Sequence, residues 1–144
     1  MPETCEVAII GAGPAGTTAG ILLARNGVDT LLIEKEDLPR HKTCGGGLTD
    51  KTLRLLKRVF GQDAEELENR GILNFRSRKV RLGFGDHELG NCILRDPLYF
   101  TDRSTYDHHL FRQADTAGLR SRINERVANI DLDDNRLQTG SGET

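Results

Sequence analysis

The 144-residue chain is long enough for one domain with a continuous core, because domains commonly contain about 100 to 150 residues. Hydrophobic residues make up 36% and charged residues 29% of the sequence, a composition that excludes a disordered chain. The formal net charge of -2 excludes a general attraction for phosphate backbones, so we expect no nucleic-acid partner.

Targeting signals and cysteine spacing set the expected compartment. No apolar run approaches the roughly 18 to 20 residues of a membrane-spanning helix, and the first residues lack the basic and then apolar pattern of a signal peptide. Cys5, Cys44 and Cys92 are odd in number and widely spaced, which fits neither a disulfide framework nor a zinc site. We therefore expect a cytoplasmic protein without a bound metal.

The chain begins with a predicted strand, helix and strand. The apolar run from Cys5 to Ile10 ends at Gly11 and predicts a strand buried on both faces, as in a parallel sheet. Pro14 favours a helix start, and Gly27 favours its end. Residues 29–34 predict a second strand, so the crossover between the strands should be right-handed.

The middle of the chain predicts a long loop, two helices and a hairpin. Pro39 and three consecutive glycines break regular structure between Lys35 and Leu48. Thr49 or Asp50 can cap a helix that runs to about residue 60, and residues 63–70 favour a second, short helix. Alternating apolar residues in 79–84 and 87–94 predict a hairpin that turns at Gly85-Asp86.

The last third predicts a helix over residues 104–118, followed by strands. Apolar residues favour strands over residues 119–122 and 126–132, and the second of these leads through an Asp133-Asp134-Asn135 turn into a strand over 136–139. Residues 140–144 favour a further hairpin turn. Because a strand should follow such a turn, we expect the fold to be incomplete.

A glycine-rich motif, Gly11-Ala12-Gly13-Pro14-Ala15-Gly16, follows the first predicted strand and opens the first helix. This is the context in which such a motif binds a dinucleotide: Gly11 permits the tight turn, Gly13 admits the pyrophosphate, and Gly16 allows helix and strand to pack closely. The amides near Ala15 would meet the phosphates at the positive end of the helix. Glu34 follows at the expected spacing of about 20 residues and should accept hydrogen bonds from the ribose hydroxyls.

The loop after Glu34 favours FAD over NAD as the dinucleotide. The same glycine motif serves both cofactors, so the choice depends on other segments. A nicotinamide dehydrogenase usually passes quickly from its second strand into a helix. The loop of residues 35–48 can instead run beside a long, extended cofactor.

The loop also carries the most specific motif of the sequence, Pro39-Arg40 with Lys42 and then Cys44-Gly45-Gly46-Gly47-Leu48. Together with the glycine motif and Glu34, it resembles the geranylgeranyl reductase family, within the larger group that includes aromatic hydroxylases. The segment from Arg103 to Asp107 resembles that family's Arg-x-x-Phe-Asp signature, with Tyr106 in place of Phe. The resemblance covers about residues 7–127 and corresponds to the first part of a family member.

The resemblance implies a Rossmann-like α/β fold that binds FAD, with a parallel sheet and an antiparallel β-meander. Residues 1–144 would then be the N-terminal part of an FAD-binding domain, without the substrate domain. The family's later Gly-Ala-Asp-Gly strand and Gly-Asp segment do not occur here. The implied cofactor-binding set combines the motif glycines with the family positions, and Val127 would contact adenine through its backbone: Gly11, Gly13, Ala15, Gly16, Glu34, Arg40, Cys44, Gly45, Gly47, Arg103 and Val127.

By the same resemblance, the protein would reduce carbon-carbon double bonds of a prenyl lipid or pigment, with NADPH or ferredoxin as electron donor. A prenyl substrate implies peripheral contact with a membrane. Two alternatives stay open: a monooxygenase or halogenase on the same fold, and a truncated, inactive fragment. We expect no side-chain nucleophile in this segment, because the flavin carries the hydride chemistry, and the sequence assigns no catalytic residue. Cys44 could be a thiolate beside Arg40 and Lys42, but we do not assign it a catalytic role.

Two polar clusters favour surface roles. His108 and His109 are adjacent on the predicted helix, so they point in different directions and lack a partner at metal spacing. The aspartates around residues 131–134 lack the remaining ligands of an EF-hand loop and fit a solvated hairpin end.

Overall fold

The computed structural model describes residues 3–141. The chain forms two compact units, one made of residues 3–42 and 107–141 and the other of residues 43–106. Among the described residues, no helix is long and apolar enough to cross a membrane. In chain order the elements are β1 (Val7–Ile10), α1 (Pro14–Arg25), β2 (Thr30–Glu34), β3 (Gly47–Leu48), α2 (Asp50–Phe60), α3 (Ala64–Asn69), β4 (Phe75–Phe84), β5 (His87–Phe100), α4 (Arg103–Thr116), β6 (Arg120–Ile123), β7 (Glu125–Asp131) and β8 (Arg136–Ser141).

A parallel sheet of order β1-β2-β6 forms the centre of the first unit. The predicted strand, helix and strand are confirmed, and β2 is buried along its whole length. The prediction for β1 is wrong in one respect, because this strand is not buried on both faces and Ile10 is 53% exposed. Within the described residues β1 pairs only with β2, so it lies at an edge of the sheet.

Helix α1 packs closely on this sheet. Ile21 is 1% exposed, and a Cβ atom at Gly20 would lie 2.6 Å from Leu119 Cδ2, so the Leu119 side chain packs directly against the backbone of the helix. The helix ends as predicted, with Gly27 in the left-handed conformation at φ 77°. From α4, Leu110 and Ala114 are fully buried and complete the core of this unit.

The second unit combines the helices α2 and α3 with the antiparallel sheet β3-β5-β4. Thr49 caps α2 through its side chain, and Asp63 caps α3, which confirms both predicted helix starts. The predicted hairpin turns at Gly85-Asp86 but is longer than its apolar alternation indicated. The tip of the hairpin is exposed, with Phe84 79% accessible.

The strands β7 and β8 form a separate two-stranded sheet. The antiparallel strands of the chain are therefore divided between two sheets. The turn predicted over residues 140–144 is wrong at its start, because Gly140 lies within β8 and pairs with Arg126. Pairing with β7 continues the strand through a glycine that local sequence rules treat as a break. Residues 142–144 of that predicted turn lie outside the described residues.

A surface ion network joins the segment before β1 to β6. The Glu3 carboxylate accepts hydrogen bonds from Arg120 and Arg122, and Arg120 also pairs with Asp29. The hydrogen bond from Arg120, followed by that from Arg122, holds the pKa of Glu3 below its usual value of 4.5. Because the carboxylate form is favoured in the folded state, this network stabilises the fold only while Glu3 is charged.

We predict that this network makes part of the stability dependent on acid pH. A carboxyl group with a lowered folded-state pKa contributes stability that is present above its unfolded pKa and is lost as the pH falls through the folded pKa. The Glu3→Gln variant should therefore lose less unfolding free energy than the wild type between pH 6 and pH 3, measured by urea unfolding. Identical pH profiles for the two proteins would contradict this, and Glu65→Gln, an exposed carboxylate on α3, serves as the control.

Candidate functional site

The glycine-rich loop between β1 and α1 has the geometry of a phosphate-binding turn. Gly11 has φ 104°, a conformation that favours glycine, and its amide donates to Ile33 O at 2.7 Å. A Cβ atom at Gly16 would lie 2.0 Å from Gly11 O, so the approach of α1 to the loop requires glycine there. Helix α1 starts after Gly13 with no side-chain cap and no acidic residue in its first turn. Its first amides, including that of Ala15, are therefore available to an anion.

The Glu34 side chain connects this loop to the end of β2. It is 4% exposed, and Oε2 accepts a hydrogen bond from the Ala12 amide at 2.8 Å. Oε1 accepts from the Glu36 amide at 3.2 Å. Each carboxylate oxygen can accept a second hydrogen bond. Glu34 therefore fixes the loop and keeps acceptor capacity for ribose hydroxyls.

Arg40 lies between two buried carboxylates. Its Nε is 3.5 Å from Glu34 Oε2, and its Nη1 is 3.4 Å from Asp107 Oδ2. The Arg40 side chain is 11% exposed and that of Asp107 is 1% exposed. Asp107 belongs to the helix signature but not to the predicted set of site residues. Its burial could not be predicted, because aspartates are mostly exposed.

A cleft of about 290 Å³ opens beside Glu34 in this first unit. That volume is close to the lower limit for small-molecule sites, about 300 Å³. Its walls come from the ends of β1 and β2, the start of the following loop, and the start of β7. The lining residues are Ile10, Gly11, Ile33, Glu34, Lys35, Glu36, Arg40, His41, Lys42, Glu125, Arg126 and Val127.

Val127 lies in the wall of this cleft, next to a β-bulge. It pairs with Thr139, whereas Asn129 pairs with Gln138, so Ala128 is the extra residue of the bulge. Bulges are frequent next to binding sites, because they redirect the backbone and interrupt the ladder. The position suits the backbone contact to adenine that the resemblance implies for Val127.

The second unit holds the three-glycine loop. Cys44 is exposed, and its Sγ accepts a hydrogen bond from the Gly46 amide at 3.4 Å. No atom lies within 4 Å of a Cβ placed at Gly45, while Gly47 pairs with Phe100. Gly46, which was not among the predicted site residues, has φ 66°, and a Cβ there would lie 2.0 Å from Thr101 O. The middle glycine is thus required by the fold itself.

Arg103 also lies in the second unit, as the first residue of α4. The preceding Asp102 caps this helix, with Oδ1 accepting from the Thr105 amide at 3.1 Å. Arg103 is half-buried, and Tyr106 is 2% exposed, so the phenol replaces phenylalanine at a core position. The predicted site residues therefore fall into two groups. Gly11, Gly13, Ala15, Gly16, Glu34, Arg40 and Val127 belong to the first unit, and Cys44, Gly45, Gly47 and Arg103 belong to the second.

A histidine of α4 and the aspartates of the β7–β8 turn make local hydrogen bonds. His109 hydrogen-bonds Gln113 along α4 at 3.0 Å. Asp131 Oδ1 accepts from the amides of Asp133 and Asp134, each at 3.1 Å, and so caps the hairpin turn. In residues 3–141 no group of three His, Cys, Asp or Glu side chains could hold a metal ion.

A family model described as an FAD binding domain matches residues 4–137. The chain belongs to this FAD-binding family. It is therefore a domain of the type found in FAD-dependent oxidoreductases, and its cofactor is FAD, as predicted. The α/β fold with its parallel sheet is confirmed as well.

Two named relatives are reductases. The chain is 38% identical over 74 residues to the menaquinone reductase of Mycobacterium tuberculosis, a match that covers 50% of this chain and 18% of that protein. It is 28% identical over 139 residues to the digeranylgeranylglycerophospholipid reductase of Methanosarcina mazei, covering 93% of this chain and 32% of that protein.

A solved structure shares the fold with a different chemistry. The myxobacterial chondrochloren halogenase superposes with a TM-score of 0.79 at 23% identity, covering 99% of this chain and 34% of that one. The chain thus spans between 18% and 34% of the length of these three proteins. At this identity, the structural match shows the fold alone.

The residues around the glycine-rich loop fit FAD. The backbone leaves no room for a side chain at Gly16, and the uncapped start of α1 offers free amides. Arg40 Nη1 is buried, and no acceptor among the described residues meets it with hydrogen-bond geometry. A guanidinium next to the phosphate-binding turn can form charge-assisted hydrogen bonds with a pyrophosphate.

We predict that two glycines of the loop differ in what they tolerate. Gly16→Ala should destabilise the fold and abolish FAD binding, because its methyl group would lie 2.0 Å from Gly11 O. Gly13→Ala should fold normally, since its methyl group would meet Arg40 Nη2 at 3.6 Å, an ordinary contact. Urea unfolding and FAD titration of the two variants test this. A Gly16→Ala protein as stable as Gly13→Ala would contradict the close approach of α1.

Proposed function

We propose that this chain is the FAD-binding part of a geranylgeranyl-reductase-type enzyme that saturates carbon-carbon double bonds of a prenyl chain. One structural observation carries the proposal. The resemblance rests on two segments far apart in sequence, the Pro39-Arg40 motif and the helix signature that ends at Asp107. Their charged residues meet in an ion pair of 3.4 Å. The similarity to a digeranylgeranylglycerophospholipid reductase supports the same assignment.

The chain's own residues have binding and orienting roles in this proposal. The amides at the start of α1 would donate hydrogen bonds to the pyrophosphate, Glu34 would accept hydrogen bonds from the ribose hydroxyls, and the backbone at Val127 would border the adenine. When bound and reduced, FAD supplies the hydride. Saturation of each double bond also consumes one proton, and the proposal assigns its delivery to no residue of this chain.

The proposed partners follow from the substrate class. A prenyl lipid or prenylated pigment is embedded in or bound at a membrane, so the enzyme would contact a membrane surface peripherally from the cytoplasm. Reducing equivalents would come from NADPH or ferredoxin. Both donors should therefore be included in an activity assay.

We predict that the purified chain binds FAD and that Glu34 is required for tight binding. Glu34→Gln keeps an acceptor oxygen for the Ala12 amide but removes the negative charge that faces the ribose and Arg40. The dissociation constant for FAD should rise about tenfold or more, since a hydrogen bond to a charged group contributes about 1.5 to 3 kcal/mol. Visible absorption of retained flavin and a titration by flavin fluorescence measure this.

The control for this experiment is Glu65→Gln, which removes an exposed carboxylate from α3 and should leave FAD binding unchanged. A folded wild-type chain that retains no flavin and takes up none on addition would contradict the proposal. That result would favour an inactive fragment.

We predict that the complete protein containing this sequence converts a geranylgeranyl lipid to products heavier by two mass units for each reduced bond. The assay contains FAD with NADPH or reduced ferredoxin, and mass spectrometry follows the lipid. Protein denatured by heat is the control.

A halogenase or monooxygenase is the second candidate, favoured by the fold shared with the chondrochloren halogenase. Incorporation of halogen or of an oxygen atom into an added substrate, without saturation of the prenyl lipid, would establish this alternative and overturn the reductase proposal.

A further inference from the structure

Asp107 is a buried carboxylate that faces the Arg40 guanidinium. Its side chain is 1% exposed, and it lies in α4 one turn after the helix start, against the Arg40 guanidinium. Taking a carboxylate out of water costs several kcal/mol, and a buried ion pair seldom stabilises a fold more than apolar residues of the same size would. A buried aspartate at this place is therefore better explained by what it does to Arg40.

Arg40 is held from two sides. Glu34 contacts Nε and Asp107 contacts Nη1, so two atoms of the planar guanidinium are fixed by carboxylates from different elements. The remaining terminal nitrogen, Nη2, lies 3.6 Å from the position of a Cβ at Gly13. Gly13 is the residue at which the backbone of such loops approaches a pyrophosphate.

This arrangement has a direct consequence for a ligand. A long arginine side chain has a rotamer entropy of about 2 kcal/mol, which an unrestrained Arg40 would lose on binding a phosphate. Asp107 restrains the side chain before the ligand arrives. The guanidinium then offers its donors beside the loop without further ordering.

We propose that Asp107 is a positioning residue for the pyrophosphate of FAD, acting through Arg40. This inference rests on the proposed FAD site and goes beyond it, because Asp107 itself does not line the cleft. Its function is to orient the Arg40 guanidinium, whose single positive charge is outweighed by the two carboxylates of Glu34 and Asp107. Removing Asp107 should therefore weaken phosphate binding, although it makes the surroundings of Arg40 more positive.

The test compares four proteins: wild type, Asp107→Asn, Arg40→Met and the double variant. FAD, ADP and adenosine are titrated into each by calorimetry, and urea unfolding is measured separately. Asp107→Asn should weaken FAD and ADP about tenfold and adenosine little, since adenosine carries no phosphate. In the Arg40→Met background the same substitution should change FAD binding less than twofold. Asp115→Asn, an exposed aspartate on the same helix, is the matched control and should match the wild type.

A purely structural role would lower the unfolding free energy and leave the ratio of ADP to adenosine affinity unchanged. That result would overturn the proposal, as would unchanged or tighter FAD binding by Asp107→Asn. Additive effects of the two substitutions would overturn it too, because they would show that Asp107 does not act through Arg40. If Asp107→Asn does not fold, Arg40→Lys provides the second test: it keeps the charge but loses the two-sided contact, and it should weaken ADP more than adenosine. If the wild-type chain binds no FAD, the proposed function itself fails. If the wild type binds FAD and Asp107→Asn binds it equally well, only the role of Asp107 fails.

Discussion

The Glu34 carboxylate is the interaction on which the candidate site depends. It is the last residue of a fully buried strand, and it accepts hydrogen bonds from the loop before α1 and from the backbone that follows β2. Because the Glu34 carboxylate only accepts hydrogen bonds, it holds the amides of both segments in place. Its negative charge needs a positive partner, which Arg40 supplies. Because a buried carboxylate without partners is very costly, the positions of loop and arginine follow from that of Glu34. The spacing between the glycine motif and this residue, visible in the sequence, is thus a structural requirement as well as a ligand requirement.

Local signals predicted most elements of the fold, and pairing between strands accounts for what they missed. Thr49, Asp63 and Gly27 mark helix boundaries through their own hydrogen bonds or conformation, so the sequence identifies them directly. The exposure of Ile10 depends on which strands flank β1, and the continuation of β8 through Gly140 depends on its partner Arg126. The strands that flank β1 and the partner of Gly140 cannot be identified from the residues adjacent to Ile10 and Gly140 in the sequence. Periodicity therefore located the strands but could not give their sheet positions.

In the candidate site too, features that depend on nearby residues were predictable, and contacts between distant segments were not. The glycine motif and Glu34 were predictable because Gly11 and Gly16 meet local steric demands and the acidic residue follows at a known spacing. The ion pair between Arg40 and Asp107 joins residues that no spacing rule connects. Gly46 is a related case, since its need for glycine comes from Thr101 O, which belongs to a distant segment. The sequence motifs identified the segments that contain Arg40, Asp107 and Gly46. Only the structure shows what each of these residues contacts.

The charges around the cleft bear on how it can bind an anion. Acidic and basic side chains both line it. The acidic ones are Glu34, Glu36 and Glu125, and the basic ones are Lys35, Arg40, Lys42 and Arg126. Hydrogen bonds from Thr139 and Arg122 lower the pKa of Glu125, so this residue keeps its negative charge at neutral pH. With the two signs nearly balanced, a general positive field cannot account for affinity toward a pyrophosphate. In the proposed site, binding would instead come from donors aimed at the phosphate oxygens, namely the amides at the start of α1 and the Arg40 guanidinium, which two carboxylates hold in a fixed orientation. Such directed donors would also favour a dinucleotide over other anions. They recognise the positions of the ligand's oxygen atoms, whereas a general positive field responds only to the ligand's charge.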